Sequence, residues 1–174
     1  MEKAELVQAL QELDVRLVTP CDIIVIGGAA MILYFGARRA TRDVDILLLR
    51  GDVEGLRRAV KYVARLHDLP EDWLSDAAKG FADILPPDFY QRLTLLPLPL
   101  QRLHVYVLGK PDQAALKIVA LRERDLEDLE LLLPSMNEAD KASLVATMYH
   151  VARFRPDWAQ RIEYFLQEQG WQTQ

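Results

Sequence analysis

Two aspartates separated by one residue, Asp43 and Asp45, are the side chains in this sequence best suited to chemistry. Side chains alternate along a β-strand, so on a strand both carboxylates project from the same face. Two like charges held close together favour a cation, and Mg²⁺ commonly binds through one or two carboxylates together with substrate phosphates. Two such ions can support an in-line phosphoryl displacement. The pair therefore indicates metal-dependent chemistry on a phosphate group.

A pair of glycines, Gly27 and Gly28, precedes the aspartates and ends an apolar run. Backbone amides at the start of a helix favour a bound phosphate, and glycines allow that phosphate to approach closely. This phosphate seat and the carboxylate pair cooperate only if the first strand ends, and the second begins, at the same edge of the sheet. The sequence predicts that geometry. A tight turn between a strand and a helix is the alternative explanation of the two glycines.

The elements that must position these residues follow from the spacing of apolar side chains. Strands are predicted over residues 22–26, 43–49 and 103–108. Helices are predicted over residues 3–15, 29–35, 51–67, 114–133, 136–153 and 156–169, and residues 69–73 are predicted to form a turn that starts a further short helix. Four prolines between residues 81 and 101 leave only a short edge element over residues 92–96.

Together these elements predict an α+β fold. A small mixed β-sheet flanked by helices is expected in residues 1–110, and a helical C-terminal portion packed on that core in residues 111–174. The chain has 174 residues, of which 51% are hydrophobic and 27% charged, so it can bury a core and is not a disordered chain.

Composition also narrows the class of protein. A net charge of −5 argues against coating nucleic acid by bulk charge. Cys21 is the only cysteine, which excludes an internal disulfide framework and a Cys-based zinc site. The N-terminus lacks an apolar stretch of the kind that a signal peptide or a membrane span of roughly 20 residues needs. A cytoplasmic protein without a membrane partner is expected.

The motifs taken together resemble the minimal nucleotidyltransferases related to DNA polymerase beta, in which Gly-Gly or Gly-Ser precedes a short helix and Asp-x-Asp on a strand. They are also similar to the motif set of AbiEii-type toxin nucleotidyltransferases and their bacterial relatives over most of residues 22–133. The segments that carry this likeness are Gly27-Gly28-Ala29-Ala30, Arg39-Ala40-Thr41-Arg42-Asp43-Val44-Asp45, and Leu116-Lys117-Ile118-Val119-Ala120 with Arg122, Asp125 and Asp128.

The resemblance implies a role for each of these groups. NTP would bind at Gly27 and Gly28, and Mg²⁺ or Mn²⁺ at Asp43 and Asp45. Lys117, the third residue assigned to catalysis, would act with Asp125 or Asp128 near the nucleotide or the acceptor. A solvent-facing set of helical ion pairs is the alternative for this last group.

The arginines at positions 38, 39 and 42 either steer phosphate or belong to a soluble loop. Arg42 is assigned to substrate binding. Many members of the superfamily add a third metal-directed carboxylate, but the predicted strand over residues 103–108 contains none. Asp83, Asp88 and Asp125 are the candidates to replace it.

The leading hypothesis is a metal-dependent nucleotidyltransferase that moves a nucleoside monophosphate from an NTP to an unknown acceptor. The toxin relatives suggest tRNA or protein as that acceptor. A noncatalytic nucleotide-binding or regulatory module with the same fold is the alternative, and an interaction domain that dimerises through its C-terminal helices is the third. A cognate antitoxin and a second copy of the chain are the protein partners left open.

Overall fold

The computed structural model describes residues 1–76, 80 and 83–171 of the chain. The chain divides into two compact units. The first unit contains Met1–Lys79 and Leu93–Val107, and the second contains Gly80–Arg92 and Leu108–Gln174. The first unit holds a mixed β-sheet with helices, and the second is helical, so the predicted α+β class is confirmed.

The sheet of the first unit has five strands in the order β3-β2-β1-β5-β4. Their bounds are β1 Cys21–Val25, β2 Val44–Arg50, β3 Leu74–Ser75, β4 Thr94–Leu95 and β5 Leu103–Val107. The central strand β1 is antiparallel to β2 and parallel to β5. Its residues are apolar and buried almost throughout, which agrees with the prediction of a strand covered on both faces. The predicted edge element over residues 92–96 is the short strand β4.

Three helices lie in the described part of the same unit: α1 Lys3–Arg16, α2 Gly27–Leu33 and α3 Val53–Leu66. Helix α1 contacts α2, α3 and β5. The predicted turn over residues 69–73 is present, but it leads into β3 and not directly into a short helix. Trp73 anchors this turn, since its indole Nε1 donates to the Val60 carbonyl at 3.1 Å and its own carbonyl accepts from the Val44 amide at 2.6 Å.

A buried carboxylate joins α1 to the start of β5. Asp14 is 6% exposed and accepts backbone hydrogen bonds from Gln101, Arg102 and Leu103, the last two at 2.7 Å. Burial alone would raise the pKa of Asp14, but the three amides and the Arg102 charge outweigh it and lower that pKa. The ionised form of Asp14 therefore stabilises the folded state.

Replacing Asp14 by alanine is expected to lower the free energy of unfolding by about 2–3 kcal/mol at pH 7, because buried donors lose their acceptor. The folded pKa of Asp14 is depressed, so its contribution is present above the unfolded value near 3.9 and is lost as pH falls through the folded value. Urea unfolding between pH 7 and pH 3 measures both effects, with the exposed Gln11→Ala on the same helix as control. A constant difference between wild type and Asp14→Ala at all pH values would contradict this role.

Cys21 begins β1 and is 1% exposed. Burial, followed by the negative charges of Asp22 and Asp52, raises the pKa of its thiol to about 11. Because the thiolate is the reactive form, we expect Ellman's reagent at pH 8 to react at least about 100-fold more slowly with the folded chain than with the urea-unfolded chain. Equal rates in the two states would show that the thiol is accessible.

The second unit contains four helices in its described part: α4 Lys110–Ala120, α5 Glu123–Leu132, α6 Glu138–Phe154 and α7 Pro156–Glu168. A short 3₁₀ helix over Pro87–Arg92 belongs to it as well. Helix α4 is buried along nearly its whole length and contacts α5, α6 and α7. It is therefore the central helix of this unit.

The prediction of one continuous helix over residues 114–133 is wrong. The chain leaves the helical conformation at Leu121, whose φ is +44°, and α5 begins two residues later. The Leu121 amide still donates to the Lys117 carbonyl at 2.8 Å, so α4 ends in a left-handed C-cap. No proline or glycine marks this position, which explains why the spacing of apolar residues predicts an unbroken helix.

Membrane insertion through a helix has no support in the described residues. None of their helices combines the length and the apolar character that crossing a bilayer requires.

Candidate active site

The end of β1 and the beginning of β2 lie at the same edge of the sheet. Val25 pairs with Ile46, and the Ile26 amide donates to the Asp45 carbonyl at 3.0 Å. Gly27 follows directly with a φ of +64°, a conformation that favours glycine, and α2 begins there. The geometry that the sequence predicts is therefore present, because antiparallel pairing brings the glycine turn beside the aspartate pair.

The carboxylate of Asp45 lies next to the glycine turn. A Cβ atom added to Gly27 would be 3.5 Å from Asp45 Oδ2. Asp45 is half-buried, whereas Asp43 is exposed at the mouth of the strand. Asp43 immediately precedes β2, and its Oδ1 lies 3.4 Å from Thr41 Oγ1, the atom that is 3.6 Å from the Cβ position of Gly28. Gly27, Gly28, Asp43 and Asp45 thus form one cluster, which we call the Gly-Asp edge.

The loop before β2 covers the second glycine. A Cβ atom on Gly28 would lie 3.6 Å from Thr41 Oγ1 and 3.9 Å from an Arg39 guanidinium nitrogen. The Thr41 hydroxyl donates to the Asp43 carbonyl at 3.1 Å and lies 3.4 Å from Asp43 Oδ1. Arg42, the residue assigned to substrate binding from the sequence, is exposed. Arg39, which the sequence offered with Arg38 and Arg42 as either a phosphate-steering residue or part of a soluble loop, is the arginine that lies beside Gly28.

The donor set of the Gly-Asp edge consists of carboxylate oxygens from two aspartates. Such oxygens suit Mg²⁺ or Mn²⁺, which complete their coordination with water and substrate phosphates. Within residues 1–76, 80 and 83–171, no group of three His, Cys, Asp or Glu side chains is placed to hold a metal ion. In register, β3 places Ser75 beside Asp45. Two carboxylates by themselves would leave most of a cation's coordination positions to water and to a substrate.

The candidates for a third carboxylate belong to the second unit. Asp83 is exposed there. Asp88 forms a bidentate ion pair with Arg92 at 2.8 and 3.2 Å, and the hydrogen bond from this guanidinium lowers the pKa of Asp88. Asp125 pairs with Lys117.

Lys117 is buried in the second unit and holds two aspartates together. Its ammonium nitrogen lies 2.7 Å from Asp125 Oδ1 and 2.8 Å from Asp128 Oδ2. The other oxygen of Asp125 accepts from the Arg122 amide at 2.9 Å, at the start of α5. At the break at Leu121 the chain turns back, so that both aspartates of α5 reach Lys117. One continuous helix would not bring both carboxylates to the ammonium group. These three residues are buried rather than solvent-facing.

The same unit contains a second buried ion pair, which the sequence pattern does not predict. Arg92 binds both oxygens of Asp112, at 2.7 and 2.9 Å, and Asp112 is completely buried in α4. These hydrogen bonds to Asp112, together with those that Arg92 donates to Asp88, raise the pKa of Arg92. Twenty residues separate the two partners in the chain, so only the folded structure reveals the pair. It fixes the 3₁₀ helix to α4.

A mixed sheet with a glycine turn and an Asp-x-Asp pair at one edge defines a protein of the nucleotidyltransferase-like class. The chain belongs to the family described as "Nucleotidyltransferase of unknown function (DUF6036)", which matches residues 4–137. The match confirms the predicted relationship to nucleotidyltransferases.

Comparison with known proteins adds one structural likeness. The crystal structure of an antigenic nucleotidyltransferase-like protein from Paracoccidioides brasiliensis is similar, with 16% sequence identity and a TM-score of 0.45, over 92% of this chain and 90% of that chain. Among curated proteins, a sequence search finds no match.

Proposed function

We propose that this protein is a metal-dependent nucleotidyltransferase that moves a nucleoside monophosphate from an NTP to an acceptor hydroxyl. The observation that carries the proposal is the approach of Asp45 to the glycine turn, 3.5 Å from the Cβ position of Gly27. A carboxylate beside a side-chain-free turn suits a metal-bound phosphate. Membership of the nucleotidyltransferase family supports the same reaction class.

Each group at the Gly-Asp edge has a role in this reaction. Asp43 and Asp45 would hold Mg²⁺ or Mn²⁺, which when bound neutralises charge on the phosphate oxygens. The amides of Gly27 and Gly28 donate to phosphate oxygens, and Arg39 supplies positive charge beside Gly28. The acceptor hydroxyl gives up its proton to water and its oxygen bonds to the α-phosphorus, while the bond from that phosphorus to the bridging oxygen of the β-phosphate breaks and pyrophosphate leaves.

The proposal rests on the first unit alone. The family resemblance also assigns Lys117, Asp125 and Asp128 to the reaction, but in the second unit the Lys117 ammonium group forms ion pairs with both aspartates. A structural role within the second unit is sufficient to explain why these three residues are buried. We therefore test Lys117 separately, by its effect on stability.

A noncatalytic nucleotide-binding module is the second candidate. The observation that favours it is the two-carboxylate donor set, because no third metal-binding carboxylate joins Asp43 and Asp45 among the described residues. Such a module would bind NTP at the same edge without releasing pyrophosphate.

Incubation of the purified chain with each α-³²P-labelled NTP and Mg²⁺ or Mn²⁺ tests the proposal. Total RNA and total protein are supplied as the two acceptor classes. We expect label on one of them, release of pyrophosphate, and loss of both signals with EDTA. Calorimetric binding of NTP without pyrophosphate release would favour the noncatalytic module. Failure to bind any NTP would refute both.

A further inference from the structure

Asp43 is held differently from the other carboxylate of the Gly-Asp edge. Strand β2 begins one residue later, at Val44, so Asp43 takes part in neither the pairing with β1 nor the pairing with β3. Asp45 lies inside the strand, and its carbonyl accepts the Ile26 amide at 3.0 Å. Asp43 is also exposed, whereas Asp45 is half-buried. The orientation of Asp43 therefore has to come from the loop that precedes β2.

The hydroxyl group of Thr41 supplies a contact of this kind. Its Oγ1 lies 3.1 Å from the Asp43 carbonyl oxygen and 3.4 Å from Asp43 Oδ1. A hydroxyl group has one proton, which it donates to one of these oxygens at a time, and the shorter distance favours the carbonyl. Among the hydrogen bonds found within the described residues, those of Asp43 both involve this one atom. Removal of the hydroxyl therefore releases both the backbone and the carboxylate of Asp43.

Thr41 is itself fixed on two sides. Its backbone amide donates to the Met1 carbonyl at 3.0 Å, which ties the loop to the segment before α1. Its Oγ1 lies 3.6 Å from the Cβ position of Gly28, an ordinary van der Waals distance from the first turn of α2. Threonine is also branched at Cβ, which restricts rotation about χ1. The hydroxyl group therefore occupies a defined place between the glycine turn and Asp43.

We propose that Thr41 is a positioning residue of the Gly-Asp edge. Its hydroxyl group holds Asp43 so that this carboxylate and that of Asp45 bind the same cation. This role rests on the proposed function, since Thr41 acts only through the two aspartates that would hold the metal ion. It adds to that function the group that prepares the exposed aspartate for metal binding.

The size of the effect follows from where the contact lies. Groups that orient a metal ligand typically contribute roughly 10–100-fold in metal affinity or activity. The contact between Thr41 and Asp43 is exposed to water, which competes for the same oxygens. We therefore expect the lower end of that range, about 10-fold.

Two other roles of the Thr41 hydroxyl predict different measurements. A hydroxyl that only stabilises the loop would change the melting temperature and leave metal binding as it is. A hydroxyl that donates directly to a phosphate oxygen of the nucleotide would change the KM for NTP. A positioning residue instead changes the metal concentration at half-saturation, because the group that it orients is a metal ligand.

Two substitutions isolate the hydroxyl group. Thr41→Val keeps the branched shape and removes the hydroxyl, whereas Thr41→Ser keeps the hydroxyl and removes the methyl group. Thr19→Val is the matched control, since Thr19 is an exposed threonine just before β1, at the end of that strand away from the glycine turn. Asp43→Asn defines the metal binding that the other carboxylates of the chain contribute. Thermal melting by circular dichroism confirms that each variant is folded.

Electron paramagnetic resonance with Mn²⁺ alone measures metal affinity in the absence of any reaction. We expect Thr41→Val to raise the Kd of the site that Asp43→Asn removes about 10-fold, and Thr41→Ser to raise it less than about 3-fold. Thr19→Val should bind Mn²⁺ as wild type does. In the transfer assay, Thr41→Val should raise the half-saturating Mg²⁺ concentration about 10-fold and leave the KM for NTP at saturating Mg²⁺ unchanged.

Equal Mn²⁺ affinity of Thr41→Val and wild type would overturn the role of Thr41, and so would a Thr41→Ser chain that binds as weakly as Thr41→Val. A raised KM for NTP with an unchanged dependence on Mg²⁺ would assign the hydroxyl to the nucleotide instead. Failure of the proposed function gives a different result. Wild type would then bind Mn²⁺ at Asp43 and release no pyrophosphate, while a lower Mn²⁺ affinity of Thr41→Val would still support the positioning role. A wild-type chain without a Mn²⁺ site that Asp43→Asn removes would refute both.

Discussion

Replacing Asp45 by asparagine is expected to lower the rate of nucleotide transfer at least about 100-fold, because even residues behind a metal ligand typically contribute 10–100-fold. This expectation rests on the proposed function. Asparagine keeps the size of the side chain but removes the negative charge beside the glycine turn. Initial rates of pyrophosphate release with saturating NTP and Mg²⁺ measure the loss. Asp43→Asn should behave in the same way, since both carboxylates belong to the Gly-Asp edge.

Asp22 provides the matched control for the aspartate pair. It is also a half-buried strand aspartate of the first unit, but it is bound to His104 at 2.6 Å and Arg50 at 3.0 Å, at the other end of β1. Asp22→Asn should therefore leave the rate of transfer nearly unchanged. Calorimetric titration with Mg²⁺ in the presence of NTP gives a second readout, in which Asp45→Asn should lose metal binding. A wild-type rate in Asp45→Asn would remove the basis of the proposed mechanism.

Replacing Lys117 by methionine is expected to lower the free energy of unfolding by about 3–5 kcal/mol, since removing one partner leaves buried charges uncompensated. Asp125 and Asp128 are 5% and 0% exposed, so water cannot replace the lost ammonium group. At about 2–4 °C per kcal/mol for a chain of this length, the Tm should fall by roughly 6–20 °C. Differential scanning fluorimetry and urea unfolding measure the change.

Lys110 is the control for this prediction because it lies on the same helix and donates a single hydrogen bond, to the Ser135 carbonyl at 2.7 Å. Lys110→Met should cost only about 0.5–1.5 kcal/mol. Adding Asp128→Asn to Lys117→Met should recover part of the stability, because one buried charge is removed. A Lys117→Met protein with an unchanged Tm and no transfer activity would instead assign Lys117 to catalysis alone.

The Gly-Asp edge shows how far local sequence signals reach. The apolar run before Gly27 predicts a buried strand, and the period of two along Asp43-Val44-Asp45 predicts two carboxylates on one face. Both signals arise from neighbouring residues. That β1 and β2 lie antiparallel follows from pairing between residues 21 to 28 positions apart, which no local pattern encodes. The sequence predicts that the end of β1 and the start of β2 share one edge of the sheet, because the chemistry requires it. The antiparallel pairing of the two strands places them there.

The ion pairs of the second unit show the opposite case. Lys117, Asp125 and Asp128 are visible in the sequence as charged residues on a helix, and exposure to solvent is the expected outcome for such residues. The left-handed conformation of Leu121 changes this by folding α5 back on α4. Tertiary contacts offset the unfavourable energy of that turn. The spacing of apolar residues in α4 and α5 therefore does not predict it.

The sequence by itself determined the α+β class, the central strand, the glycine turn and the aspartate pair. The reason is that the repeat of hydrophobic residues and the conformational freedom of glycine both act over a few residues. Tertiary structure alone decided the burial of Lys117, the pairing of Arg92 with Asp112 and the position of Arg39 beside Gly28. Each of these depends on groups that are distant in the chain and are brought together only when apolar surfaces are buried.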